Sequence, residues 1–357
     1  MKHIAPRLFN MLGIVALRLA LLSVPLALCA QAFAAPAKGA LEVYFIDVEG
    51  GQATLFVTPT HDSLLIDTGW PANNGRDADR IVAAAKLAGV TKLDYVLITH
   101  YHDDHVGGVP QLVERIPVGT FIDHGPNRET NDAHTQQNWE AYQKTIATHG
   151  KRLIVNPGDK LPIKGLDATV ISADGVLIGQ PVASGGSANS FCNAAAKYPP
   201  DATENGRSLG VLLTFGKLRL LDLGDLTSDK EQELMCPMNK LGKIDVYIVS
   251  HHGWYQSSAP LLVDAIQPRI AIMDNGAKKG GSPAVIDTVQ HSAGLENLWQ
   301  LHYSEEGGAT HNVTAPYIAN LSGADTGYYL KLAVNPDNSM DVFNARIQKT
   351  QHYPALK

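Results

Sequence analysis

After its first 34 residues the sequence lacks any apolar run of about 20 residues, the length that a membrane-spanning helix needs. This absence excludes the multi-span architecture of an uptake channel. The sequence also lacks a basic stretch with interleaved aromatic residues, and its acidic residues outnumber the basic ones, 35 to 29. Both features argue against nucleic acid as a partner and favour a small-molecule substrate. Cysteine is scarce too, with three residues in 357.

The N-terminal 34 residues have the pattern of a secretory signal peptide. Lys2 and Arg7 precede the apolar run Met11–Ala30, and Ala32-Phe33-Ala34 forms a small-x-small cleavage site. An uncleaved membrane anchor is the alternative, but Pro25 would break its helix. We therefore predict cleavage after residue 34 and a periplasmic or secreted protein.

Removal of this signal changes the charge and leaves two cysteines. Without Lys2, Arg7 and Arg18, 26 of the 29 basic residues remain against 35 acidic ones, a net charge of about −9. Cys192 and Cys236 would then lie in an oxidising compartment, where a disulfide between them is allowed. The sequence does not say whether they pair, nor does it indicate an oligomeric state.

Three histidines and two aspartates are crowded into the segment His100–Gly108, which reads HYHDDHVGG. It directly follows Leu93–Thr99, an apolar run that predicts a buried strand. Open α/β sheets place their ligands at the carboxyl ends of such strands. His100 and His102 can bind one metal ion while Asp104 and His105 turn toward a second. The segment therefore predicts a metal site.

The surrounding sequence indicates an α/β fold. A strand at Ser63–Ile66 is followed by an amphipathic helix at Asp77–Ala88 and then by the strand that delivers His100. A second helix, Thr135–Thr148, carries Trp139, Tyr142 and Ile146 at core spacing. His124 and Arg128 follow the predicted strand Gly119–Asp123 and are candidates for the wall of a pocket.

The pattern His100-x-His102-x-Asp104-His105-x-Gly107-Gly108 resembles the signature of the metallo-β-lactamase superfamily. The resemblance implies an α/β fold of the four-layer αββα type and a dinuclear metal hydrolase, in most members with zinc. It also implies a role for Asp67, which follows the strand Ser63–Ile66: an aspartate at this position supports the metal loop through hydrogen bonds without binding the metal.

The second half contains candidates for the remaining ligands. Paired strands at Leu209–Phe215 and Leu218–Leu223 lead into Gly224-Asp225, which resembles the superfamily's metal-bridging carboxylate. The next predicted strand, Ile244–Ser250, ends in His251-His252-Gly253. Counting from the strand favours His251 as the ligand, whereas counting back from the glycine favours His252, and the other residue of the pair would face the substrate.

One part of the usual ligand set is absent, because no histidine occurs between His149 and His251. Asn205-Gly206-Arg207-Ser208 stands there instead. This arrangement is similar to the hydrolase domain of the ComEC-type DNA-uptake proteins. The resemblance implies a hydrolase domain over residues 41–345, with a long loop at 172–206. The signal-like N-terminus and the lack of later apolar runs predict that this domain is exported and stands alone.

The implied chemistry is hydrolysis by a metal-bound hydroxide, with two zinc ions as cofactors and manganese or iron as alternatives. Asp104 would orient the nucleophile, and His252 is the candidate to contact the substrate. A phosphodiester suits the branch, and Lys278-Lys279 with Arg128 could hold its phosphate. A β-lactam or lactone is the alternative, and a non-catalytic metal-binding module is the second.

Overall fold

Two β-sheets packed face to face organise the protein. The computed structural model describes residues 38–71, 73–194, 196–321 and 325–356, which fall within one compact unit, Pro36–Lys357. The predicted signal peptide, residues 1–34, lies outside the described residues and stays a prediction.

The strands are β1 (Leu41–Phe45), β2 (Thr54–Val57), β3 (Ser63–Ile66), β4 (Leu93–Leu97), β5 (Val118–Asp123), β6 (Lys151–Ile154), β7 (Asp167–Ala173), β8 (Val176–Leu177), β9 (Ser187–Ala188), β10 (Gly210–Phe215), β11 (Leu218–Asp222), β12 (Met238–Asn239), β13 (Val246–Ile248), β14 (Ile270–Met273), β15 (Asn297–His302), β16 (Ile318–Asn320), β17 (Leu330–Val334), β18 (Met340–Asn344) and β19 (Lys349–Tyr353). The α-helices are α1 (Arg76–Leu87), α2 (Asp103–Val106), α3 (Val109–Val113), α4 (Ala133–His149), α5 (Ser228–Met235), α6 (Pro260–Ile266), α7 (Pro283–Gln290) and α8 (Gly308–His311). Turns of 3-10 helix cover Asn73–Gly75, Ser190–Ala194, Asn205–Arg207, Ser250–Gly253 and Ala315–Tyr317.

The first sheet has the strand order β19-β18-β17-β1-β2-β3-β4-β5-β6, and the second has the order β16-β15-β14-β13-β11-β10-β7-β8. Strands β3 to β6 run parallel, as do β11 and β13 to β16. Each sheet therefore gathers the carboxyl ends of several strands at one edge, where ligand-binding loops are expected.

The core lies between the sheets, and helices cover both outer faces. In β1, Val43 packs into the layer between the sheets while its neighbour Tyr44 faces the opposite side, as the two-residue period of a strand requires. On that outer side lie residues of α1, α3 and α4, and residues of α5, α6 and α7 cover the other sheet. The predicted four-layer αββα sandwich is confirmed. Trp139, Tyr142 and Ile146 are buried as predicted.

Two predicted elements differ from the structure. The strand expected at Ile244–Ser250 covers only Val246–Ile248, because the chain turns into a 3-10 helix from Ser250. The segment 172–206, expected as a long loop, contains the end of β7 and all of β8 and β9. Asp174 and Gly175, both at positive φ, form the tight turn of a β7–β8 hairpin. Asp-Gly is a hairpin signal that the surrounding small residues obscure in the sequence.

A disulfide joins Cys192 to Cys236, so the two cysteines for which the sequence only allowed a bridge are paired. It connects the later part of segment 172–206 to the residue that follows α5. Within the described residues, no helix combines the length and apolar character that crossing a membrane requires.

Candidate metal centre

The histidine-rich loop after β4 folds tightly against neighbouring loops. Its residues 103–106 form the short helix α2. The carbonyl of His105 accepts hydrogen bonds from the amide and the hydroxyl of Thr68, at 2.7 and 2.9 Å. A Cβ on Gly108 would lie 2.1 Å from the carbonyl oxygen of Thr68, so only glycine permits this approach. The loop is thereby fixed with its side chains directed toward the second sheet.

A first group of ligand atoms gathers at His100 and His102. His100 Nε2 lies 3.1 Å from His102 Nδ1 and 3.9 Å from Asp225 Oδ2. From the second sheet, His251 Nε2 lies 3.3 Å from the same carboxylate oxygen. Three imidazoles and one carboxylate oxygen therefore surround this position. His251 takes the place of the ligand histidine that is absent from the sequence between His149 and His251.

A second group consists of Asp104, His105, Asp225 and His252, whose ligand atoms all lie within 4.8 Å of one another. His252 Nε2 lies 3.2 Å from Asp104 Oδ2, 3.1 Å from His105 Nε2 and 3.4 Å from Asp225 Oδ1. All four side chains are buried. The Asp225 carboxylate contacts both groups, because its Oδ1 faces His252 and its Oδ2 lies 3.3 Å from both His105 Nε2 and His251 Nε2.

The backbone at His251 and His252 explains why counting along the sequence could not separate them. Both residues have positive φ, 56° and 54°, which is uncommon for residues with a side chain. The His251 amide donates to the carbonyl of Gly224 at 3.0 Å, which anchors the turn beside Asp225. The two consecutive left-handed residues direct both rings toward Asp225, one into each group.

Several further side chains hold these ligands in place. Asp67 accepts hydrogen bonds from the amide and hydroxyl of Thr99 at 2.8 and 2.6 Å, and its Oδ2 lies 2.7 Å from His105 Nδ1. Ser257 Oγ lies 3.2 Å from His251 Nδ1. Asp274 Oδ1 lies 3.4 Å from His252 Nδ1. Sequence reasoning did not identify Asp274, although its position after the buried strand β14 matches that of Asp67 after β3.

The arrangement fits divalent cations. Asp225 Oδ1, which faces the second group, is buried without a hydrogen-bond partner. In addition, His105 Nε2 and His252 Nε2 face each other across 3.1 Å among carboxylate oxygens. Imidazole nitrogens and carboxylate oxygens in this combination are the ligands that zinc, manganese and iron accept.

Charges within the cluster are strongly coupled. Burial opposes ionisation of Asp225, but His105, His251 and His252 hold its pKa well below the usual range. Burial lowers the pKa of His251 to about 4, so its ring is neutral at pH 7, the form that binds metals. Burial also opposes protonation of His252, yet Asp225 and Asp274 outweigh it and raise the pKa of His252 to about 10. A cation bound by this ring would replace the proton.

A cavity of about 320 Å³ opens onto these groups. It is lined by Trp70, His102, Asp103, Asp104, Glu129, Asp132, His134, Thr135, Asp225, His251 and Lys279. Lys279 contacts the Asp104 carboxylate and lies over the Trp70 ring, 5.0 Å from its centroid.

The other residues that the sequence placed at the pocket lie elsewhere. His124 and Arg128 do not line the cavity, because His124 faces Glu204 at 3.1 Å and Arg128 is paired with Asp174 at 2.9 Å. Lys278 is exposed and does not line it either. Of the three cations proposed to hold a phosphate, only Lys279 reaches the cavity.

Asp47, Glu49 and His302 form another group of potential metal ligands. The two carboxylate oxygens of Asp47 already have partners, since Oδ1 lies 2.6 Å from His302 Nε2 and Oδ2 lies 3.1 Å from Arg80 Nη1. This internally paired group is explained as a structural contact between β15 and the loop after β1.

Comparison with known families finds a match for the part of the chain that contains the His100–Gly108 segment. The sequence model of the metallo-beta-lactamase superfamily matches residues 47–190, which include Asp67 and the whole His100–Gly108 segment. This part of the chain, less than half of its length, is therefore similar to the metallo-β-lactamase superfamily. Most members of this superfamily are metal-dependent hydrolases, and the cluster of buried histidines and carboxylates agrees with such an activity.

The chain matches its curated relatives over only part of their own length. ComE operon protein 3 of Bacillus subtilis is 26% identical over 250 residues, covering 66% of this chain and 28% of the relative. Recombination protein 2 of Haemophilus influenzae is 25% identical over 240 residues, covering 67% and 25%. A hydroxyacylglutathione hydrolase of Klebsiella pneumoniae is 34% identical over 113 residues, covering 30% and 38%. The chain thus spans between about a quarter and two fifths of these relatives.

Among solved structures, the metallo-beta-lactamase fold protein YhfI from Bacillus subtilis covers 81% of this chain and 98% of its own, with 13% identity and a TM-score of 0.45.

Proposed function

We propose that this chain is an exported, dinuclear zinc hydrolase that cleaves a phosphodiester or a related small ester, with manganese or iron as alternative metals. One observation carries the proposal: the buried Asp225 carboxylate lies between two groups of ligands, with Oδ2 3.3 Å from His251 Nε2 and Oδ1 3.4 Å from His252 Nε2. A carboxylate shared in this way sets the separation of two cations.

The residues divide into two ligand sets that share Asp225. His100, His102 and His251 would hold the first ion, and Asp104, His105 and His252 would hold the second. A metal pair at this position supplies Lewis acidity and makes water nucleophilic at neutral pH. This assignment gives both His251 and His252 a ligand role. Neither of them is then a residue that only contacts the substrate.

The chain's own side chains account for orientation and binding. Asp104 belongs to the second ligand group and also lines the cavity, where its carboxylate would accept a hydrogen bond from the attacking water and orient it. Lys279 places an ammonium group at the same opening, and its side chain is 34% exposed. An anionic group on the substrate, such as a phosphodiester, would be held there by charge.

Two classes of substrate compete for this cavity. Similarity to ComE operon protein 3 and Recombination protein 2 supports the ComEC-type branch, with which phosphodiester cleavage agrees. Identity of 34% to a hydroxyacylglutathione hydrolase favours a carbonyl substrate as the second candidate, including a thioester, a lactone or a β-lactam. Export is supported by the signal-like first 34 residues and by the Cys192–Cys236 disulfide, a bond typical of oxidising compartments.

A side-by-side assay tests the proposal. Zinc-loaded protein is given bis-p-nitrophenyl phosphate, nitrocefin, a homoserine lactone and a thioester, each with and without a chelator. We expect chelator-sensitive hydrolysis, fastest with the phosphodiester. If a carbonyl substrate is turned over faster than the phosphodiester, the proposed substrate class is wrong and the carbonyl class takes its place. Absence of zinc binding, together with no hydrolysis in any arm, would favour the non-catalytic module.

A further inference from the structure

His102 is held at both ring nitrogens, which determines the nitrogen that is left for a metal. Its Nδ1 faces His100 Nε2 at 3.1 Å, inside the first ligand group, and its Nε2 lies 2.9 Å from Glu129 Oε2. A metal-binding histidine commonly donates its second ring N–H to a carboxylate, which fixes the tautomer and the ring orientation. Glu129 occupies that position for His102, as Asp67 does for His105.

Glu129 is itself fixed by a segment that is distant in the sequence. Its Oε2 accepts a hydrogen bond from the amide of Glu204 at 2.8 Å. The fully buried Glu204 side chain in turn accepts a bond from the Arg128 amide at 2.8 Å, and its other oxygen lies 3.1 Å from His124 Nε2. The loop after β5 and the end of the 172–206 segment are therefore joined immediately behind His102.

The same distant segment reaches two more members of the first group. Ser208 Oγ accepts a hydrogen bond from the Asp225 amide at 3.2 Å and lies 3.5 Å from His100 Nδ1. Residues 204–208 therefore contact His100 and Asp225 through Ser208, and His102 through Glu129. This is the stretch in which the sequence carries no histidine ligand.

We propose that Glu129 is a positioning residue for the first metal site: its carboxylate, held by the Glu204 amide, orients His102 so that Nδ1 binds the metal. The inference rests on the proposed dinuclear centre. Residues 204–208 then support the first metal site from behind, and Glu129 acts on the metal only through His102.

The test is a zinc titration of the full chain against a competing chromophoric chelator. We expect two bound zinc ions in the wild type and a roughly 10- to 100-fold weaker first site in Glu129→Ala. Glu129→Gln should recover part of the loss, because its amide oxygen can still accept both hydrogen bonds. Asp132→Asn is the matched control: it removes a negative charge from the same cavity, but its side chain caps α4 through Thr135.

Two backgrounds locate the effect. In His252→Ala, which leaves the first site, Glu129→Ala should weaken the remaining zinc. In His251→Ala, which leaves the second site, it should have no further effect. Three outcomes would overturn the inference. Glu129→Ala could leave the zinc affinity unchanged, or Glu129→Gln could weaken both sites equally. The third is a loss of zinc affinity in Asp132→Asn as large as that in Glu129→Gln. A wild type that binds no zinc would instead overturn the proposed function.

Discussion

The Asp67 carboxylate lies 2.7 Å from His105 Nδ1, so that His105 Nε2 is directed into the second ligand group. Asp67 has no contact with Asp104, Asp225 or His252 among its hydrogen bonds, which go to Thr99 and His105. The only ligand that it contacts directly through these bonds is therefore His105, and it reaches the first group only through Thr99 Oγ1, which lies 3.0 Å from His100 Nδ1. This relationship makes the contribution of a supporting carboxylate measurable apart from that of a ligand.

Asp67→Asn should weaken the second metal site about 10- to 100-fold and the first site much less, because Asp67 contacts His105 directly but His100 only through Thr99. The asparagine amide can donate to His105 Nδ1, which would place the ring proton on Nε2, the atom that faces the ligand group. Zinc titration with a chelator competitor measures both sites. Asp123→Asn serves as the control, since it also alters a buried carboxylate at a strand end but contacts Tyr142 and Arg152. Equal effects of the two variants would show that the loss comes from general destabilisation.

His251→Ala and His252→Ala should each lower the zinc content from two ions to one, and they should affect different sites. His252 and Asp104 belong to the same group, so the double variant His252→Ala with Asp104→Ala should still bind one zinc ion, at the first site. His251→Ala combined with Asp104→Ala should bind none at concentrations that saturate the wild type. Elemental analysis after gel filtration measures the content. If His251→Ala keeps two ions and only turns over more slowly, His251 contacts the substrate and does not bind metal.

The sequence predicted those parts of the centre that depend on local order. The spacing of His100, His102, Asp104 and His105 is specific in itself, and Asp225 follows a buried strand and a glycine. Glu129, Asp274 and Ser208 were not predicted, because a lone carboxylate or hydroxyl after a strand looks the same whether or not the fold brings it to a ligand. Alternating strands and helices predicted the α/β class, and the resemblance carried by the histidine motif implied the four-layer sandwich. The two left-handed residues at His251 and His252 follow no periodic pattern.

Glu231 should make stability depend on pH in a direction opposite to that of most acidic residues. Its side chain is fully buried in α5 and accepts hydrogen bonds from the amides of Ser258 and Ala259 at 2.9 and 2.7 Å. Burial is the largest influence and raises the pKa of Glu231 from 4.5 to about 8, although these hydrogen bonds oppose the shift. The folded protein therefore holds a proton that the unfolded chain releases above pH 4.5.

A folded-state pKa above the unfolded value stabilises the fold fully below about pH 4.5, and this contribution is lost as the pH rises through about 8. Glu231→Gln, which stays neutral, should therefore gain stability relative to the wild type between pH 5 and pH 8.5, by on the order of 1 kcal/mol or more. Urea unfolding at both pH values measures the difference. Glu233→Gln, on the exposed side of the same helix and paired with Lys230, should show no such change. A Glu231→Gln difference that is equal at both pH values would mean that Glu231 is ionised in the fold, stabilised by its two amide donors.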